Sequence, residues 1–144
     1  MTDTRIDTAP TFYPCLRYRD ARAAIAWLGR AFGLRERVVY GEGDMVHHAE
    51  LALGNGIVML GSAREDALGT ATPAETGGKV TGLIYVYVAE IDAHHDRAVA
   101  AGATIVRPPQ DTDYGSREYG ARDLEGNYWS FGTYHPAASD PAEG

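Results

Sequence analysis

The sequence is poor in cysteine, in lysine and in long apolar runs, and each shortage excludes something. A single cysteine, Cys15, cannot close an internal disulfide, so a disulfide scaffold and a cysteine zinc cluster are both excluded. No apolar run approaches the roughly 20 residues that a membrane-spanning helix needs. The opening Met1-Thr2-Asp3-Thr4-Arg5 has neither the charged start nor the apolar stretch of a secretory signal. A soluble, cytoplasmic protein without a membrane partner is therefore expected. Lys79 is the one lysine, and Lys and Arg together number 13 against 20 acidic residues, a net charge of −7. Such a chain offers no basic face for phosphates, so no nucleic-acid partner is expected. The acidity suits a cationic small molecule, or simply solubility. Glycine spacing matches no phosphate-binding loop, and no Gly-x-Ser-x-Gly nucleophile turn occurs.

What is present is an ordinary globular composition, 44% hydrophobic and 23% charged over 144 residues, enough for one domain. Residues 1–10 and 135–144 read as flexible ends, and residues 11–134 as a single domain built from two similar halves. In the first half, 11–61, a strand-like run to Tyr18 meets Asp20 as a helix N-cap. A helix then places Ala21, Ala24, Ile25, Leu28 and Phe32 on one face before Gly33 ends it. Strands at 34–40, 46–53 and 56–61 follow, the last two joined at Gly54-Asn55. The second half, 81–134, repeats this order. A strand at 81–88 leads to Asp92 as cap, and a helix turns Ile91, His95, Ala98 and Val99 inward and His94 to water. Strands at 103–107, 116–123 and 127–134 complete the half. Residues 62–80, with Gly69, Pro73, Gly77 and Gly78, are the linker.

Side chains alternate across a strand, so each strand sorts into two faces. Ala49, Leu51, Leu53, Val58, Leu60, Ile84, Val86, Val88, Tyr119, Ala121, Trp129 and Phe131 form the apolar set and belong under the helices. The opposite set carries His48, Glu50, Met59, Leu83, Tyr85, Tyr87, Glu118, Arg122 and Ser130. That second face is either wet, as in many antiparallel sheets, or the lining of a cavity.

Two consecutive β-α-β-β-β halves resemble the vicinal oxygen chelate superfamily of glyoxalase I, bleomycin-resistance proteins and extradiol dioxygenases. Arg17-Tyr18-Arg19-Asp20 and Asp123-Leu124-Glu125-Gly126-Asn127 carry the resemblance. His48-Ala49-Glu50-Leu51 and the run Arg117 to Asp123 are similar to its uncharacterised glyoxalase-like branch. The resemblance implies an α+β fold in which two tandem βαβββ modules form a cupped, mostly antiparallel sheet with helices on the outer face. It also implies a homodimer whose clefts are completed across the subunit contact. The positions that hold metal ligands in that superfamily correspond here to Tyr13, Met59, Leu83 and Ser130, none a usual ligand for a divalent metal. No cofactor is therefore expected.

The candidate ligand-binding residues are Tyr13, Arg17, His48, Glu50, Met59, Tyr85, Tyr87, Glu118, Arg122 and Ser130. His48 and Glu50, two apart on one strand, are also the candidates for catalysis, as acid and base or as two ligands of a displaced metal. Glu118 and Arg122 form either a charge pair or a cation site and a carboxylate site. Cys15 shares a face with Arg17 and is read as packing rather than as a nucleophile. Two functions follow: a non-metal binder that sequesters a flat cationic or zwitterionic compound, or a glyoxalase-like lyase, isomerase or dioxygenase. A purely structural dimer is the third reading.

Overall fold

The computed structural model describes residues 9–137, so most of both expected flexible ends lies outside the described residues. The first module runs β1 (Cys15–Tyr18), α1 (Ala21–Phe32), β2 (Arg35–Glu42), β3 (Met45–Leu53) and β4 (Gly56–Ser62). The second repeats it as β5 (Ile84–Tyr87), α2 (Ile91–Ala100), β6 (Thr104–Asp111), β7 (Arg117–Arg122) and β8 (Tyr128–Gly132). The α+β class and the tandem modules are those read from the sequence. The strands form two four-stranded sheets, ordered β1-β4-β3-β2 and β5-β8-β7-β6. In each, the first strand lies parallel to the last and the remaining pairs are antiparallel. A short 3-10 turn, Pro73–Thr76, interrupts the linker.

Helix α1 forms for the reasons its sequence states. The Asp20 carboxylate accepts from the Ala23 N–H, and Gly33 closes the helix in the left-handed region at φ 82°, where a side chain would be strained. Helix α2 departs from expectation. Its cap is Glu90, without a side-chain bond, and Asp92 lies in the first turn, where it pairs with Arg117 at 3.1 Å. His94, expected in water, points inward. Its Nε2–H donates to the Phe32 carbonyl at 2.9 Å and its Nδ1 accepts from the Tyr119 hydroxyl at 2.6 Å. Burial holds its pKa below the ordinary histidine value. Val99, expected inside, is exposed. The cause is that α2 packs against α1 as well as against its own sheet, so its buried stripe is turned toward His94.

One side of each sheet packs with both helices into a common interior. Tyr18, Ala49, Leu51, Val58 and Leu60 come from the first sheet, and Tyr119, Ala121, Trp129 and Phe131 from the second. The face sorting therefore holds for these residues. Strand β6 runs longer than expected, through Pro108 and Pro109, because it is an edge strand whose outward N–H groups need no partner.

The modules are fastened by the β7–β8 turn. Asp123 accepts from the Tyr18 hydroxyl at 2.6 Å, the Trp129 indole at 3.0 Å, and the Glu125 and Asn127 N–H groups. Glu125 accepts from the N–H groups of Arg19 and Asp20 at the start of α1. The corresponding β3–β4 turn reaches no such partners on β5. A largely apolar cavity of about 750 Å³ remains there, lined among others by Leu53, Val58, Val86, Val88 and Trp129.

Candidate functional site

On the outer face of the first sheet, register aligns Cys15, Met59, Glu50 and Val38 in one row, with Tyr40 opposite His48 beside it. The His48 Nε2–H donates to Glu50 Oε2 at 2.9 Å, and Arg37 holds the other oxygen, Oε1, at 3.1 Å. The Tyr40 ring stacks beside His48, with centroids 6.4 Å apart. Both carboxylate oxygens of Glu50 are thus engaged by the protein. Arg17 is turned to Asp66 at 3.1 Å, and its other terminal nitrogen, Nη1, is buried without a partner. That salt bridge and the Leu68 N–H hold the Asp66 carboxyl below the usual carboxylate range. Cys15 is exposed, with its thiol near the Tyr13 carbonyl.

The second sheet presents two rows: Tyr87, Gly132, Glu118 and Gln110, then Tyr85, Ser130, Gly120 and Arg107. The two glycines make a floor on which tyrosines lie. A Cβ on Gly120 would collide with the Tyr128 hydroxyl, and one on Gly132 would meet the Tyr85 hydroxyl at 2.6 Å and Glu118 Cγ at 2.7 Å. Glu118 is only 7% exposed. The Tyr114 hydroxyl donates to its Oε2 at 2.9 Å, and no Lys, Arg or His among the described residues pairs with it. Hydrogen bonding to this carboxylate raises the Tyr114 phenol pKa, and burial, then the Glu118 charge, raises that of Tyr85. Arg107 reaches two hydroxyls at long range, Ser130 Oγ at 3.4 Å and Tyr128 at 3.5 Å. Tyr87 stacks flat on His135, with centroids 3.6 Å apart.

Several candidates stand where the sequence put them and two associations do not form. Tyr85, Tyr87, Glu118 and Ser130 share one face, and His48, Glu50 and Met59 share the other. Among the described residues no hydrogen bond or ion pair links one group to the other. Arg122 faces neither Glu118 nor open space, because its Nη1 donates to the carbonyls of Gly78 at 3.0 Å and Gly126 at 2.6 Å. The Glu118–Arg122 charge pair is accordingly not formed. Arg17 and Leu83 instead meet Cys15, Lys79 and Tyr128 around a second cavity of about 580 Å³. Arg37 and Arg107 were not legible as site residues. Arg37 lies within the register irregularity between Glu36 and Val38 and Arg107 ends the one that starts at Ile105, and a one-residue bulge turns a side chain to the other face.

Residues at the expected metal positions do not fit a metal. Tyr13, Met59 and Ser130 offer a phenol, a thioether and a hydroxyl, and Leu83, 58% exposed, offers no donor. Among the described residues no group of three or more His, Cys, Asp or Glu is placed to hold an ion. No helix among them is long and apolar enough to cross a membrane.

The family model of the Glyoxalase/Bleomycin resistance protein/Dioxygenase superfamily matches residues 10–131. An uncharacterized protein of Mycobacterium tuberculosis is 34% identical over 131 residues, covering 88% of this chain and 76% of that protein. Among solved structures, TioX from a Micromonospora species is 36% identical, with a TM-score of 0.70 over 90% of this chain and 100% of that one. A glyoxalase I mutant from Zea mays, 17% identical with a TM-score of 0.65, covers 86% of this chain and 45% of that one. It shares the fold.

Proposed function

This chain belongs to the Glyoxalase/Bleomycin resistance protein/Dioxygenase superfamily, and from that premise we propose that it is a cytoplasmic, non-metal protein that binds and sequesters a flat cationic compound. One observation carries this reading. Glu118 is a buried carboxylate whose only described partner is a neutral phenol. A buried carboxylate without a direct ion pair is poised for a cation brought from outside. Tyr85 and Tyr87, on the same face, add apolar area and cation–π attraction.

The site is proposed to close in a homodimer, with one chain's first-sheet face opposite its partner's second-sheet face. Support comes from unused surface. Strands β1 and β5 are sheet edges, each paired on one side only, and Phe12, Leu83, Tyr85 and Tyr87 are exposed beside them. Light scattering at micromolar concentration should report two chains, and a monomer would refute the arrangement.

The second reading, a glyoxalase-like enzyme, is favoured by the 2.9 Å contact of His48 with Glu50, a base and its orienting partner. Calorimetric titration with a fused-ring cation, 9-aminoacridine, tests the first reading. Binding without turnover, lost in Glu118→Gln, supports it. Undiminished binding in that variant overturns it. Turnover lost with His48→Gln would establish the second.

A further inference from the structure

Resting on the reading that Glu118 receives a cation, we propose that the same floor also holds a carboxylate through Arg107, so that the ligand is an aromatic zwitterion and Arg107 selects for it. Among the described residues most arginines have a direct partner in the protein. Arg17, Arg37, Arg64 and Arg117 pair with carboxylates, and Arg22, Arg97 and Arg122 donate to backbone carbonyls. Half-buried Arg107 has neither, only two hydroxyls at the limit of hydrogen-bond range. A guanidinium offers a planar fork that matches a carboxylate with two parallel bonds, which two separate hydroxyls do not replace.

The two charges lie on one face and form no direct ion pair, although the Tyr128 hydroxyl and, more weakly, the Glu118 charge raise the Arg107 pKa. Arg107 is opposite Gly120, two residues along β7 from Glu118 and one strand away. That offset is about 8 Å between backbone positions, from the rise of a strand and the spacing between strands. One aromatic ring carrying an ammonium at one end and a carboxylate at the other spans such a separation, lying on the tyrosine floor between. The bulge at Ile105–Arg107 is what delivers Arg107 to this face and leaves Val106 exposed.

Calorimetry on the full chain with benzylamine, benzoate and 4-(aminomethyl)benzoate tests this. The zwitterion should bind about tenfold tighter than benzylamine, the scale of one charge-assisted contact. Arg107→Met should bring the zwitterion down to the level of benzylamine. Arg107→Lys, which keeps the charge without the fork, should fall between, and circular dichroism should show both variants folded. A zwitterion no tighter than benzylamine, or a preference that survives Arg107→Met, overturns the role of Arg107 and leaves the cation reading standing. Benzylamine binding unchanged by Glu118→Gln, or benzoate binding as tightly as the zwitterion, overturns the cation reading and the zwitterion with it.

Discussion

The two outer faces are built on the same module, yet their charges are used differently. On the first, Glu50 is held by Arg37 through one oxygen and by His48 through the other. On the second, Glu118 meets only the Tyr114 hydroxyl and Arg107 meets only hydroxyls. A repeated backbone thus carries one self-satisfied polar network and one with both charges left over. Chemical residue type does not separate the two faces. Partnership does, because a buried charge already paired gains little from a ligand while an unpaired one gains the whole interaction.

The largest expected effect concerns how the modules are joined. Asp123→Ala removes the acceptor of four hydrogen bonds, two of them from Tyr18 and Trp129. It should lower stability in urea by about 3–5 kcal/mol, the cost of opening a buried charged network. Leu53→Ala, in the corresponding turn beside the open cavity, should cost less, about 1–2 kcal/mol. Equal losses would mean that the two turns do the same work. Next comes the contrast between the carboxylates. Glu118→Gln should weaken 9-aminoacridine binding by about 2 kcal/mol, and Glu50→Gln should leave it within twofold. The reverse order would move the site to the first sheet.

A third pair separates the two sides of one strand. Tyr87→Ala should weaken binding by about 1–2 kcal/mol with the fold little changed. Val86→Ala, one residue away and packed on the interior, should lower stability by about 1–2 kcal/mol and spare affinity. The smallest effect is on pH. Burial holds the folded-state pKa of His94 below the ordinary histidine value. The unfolded chain therefore takes up the proton first, and stability should fall as pH drops below that value, until the folded-state value is passed. His94→Gln should flatten urea midpoints across this window. An unchanged slope would remove His94 from the account.

Much of this protein was legible without coordinates. Period-two alternation separated Val86 from Tyr87 and Leu51 from Glu50, Asp20 and Gly33 marked both ends of α1, and the repeat disclosed two modules. These features are local: a strand's pleat, a helix's caps and a turn's glycine depend on neighbours a few residues away. The errors share the opposite property. His94 was expected in water because the contact between α1 and α2 is set by both modules together. Arg122 was matched with Glu118 by spacing, although the carbonyls that hold it belong to Gly78 and Gly126. Arg107 gives no signal in the sequence because a bulge is a mismatch between two strands and leaves no mark in either one alone. The order of residues by itself determined the elements, their repeat and the polarity of each face. Tertiary structure alone decided which charges found partners, since pairing at hydrogen-bond range depends on registers and packing that join residues distant in the chain.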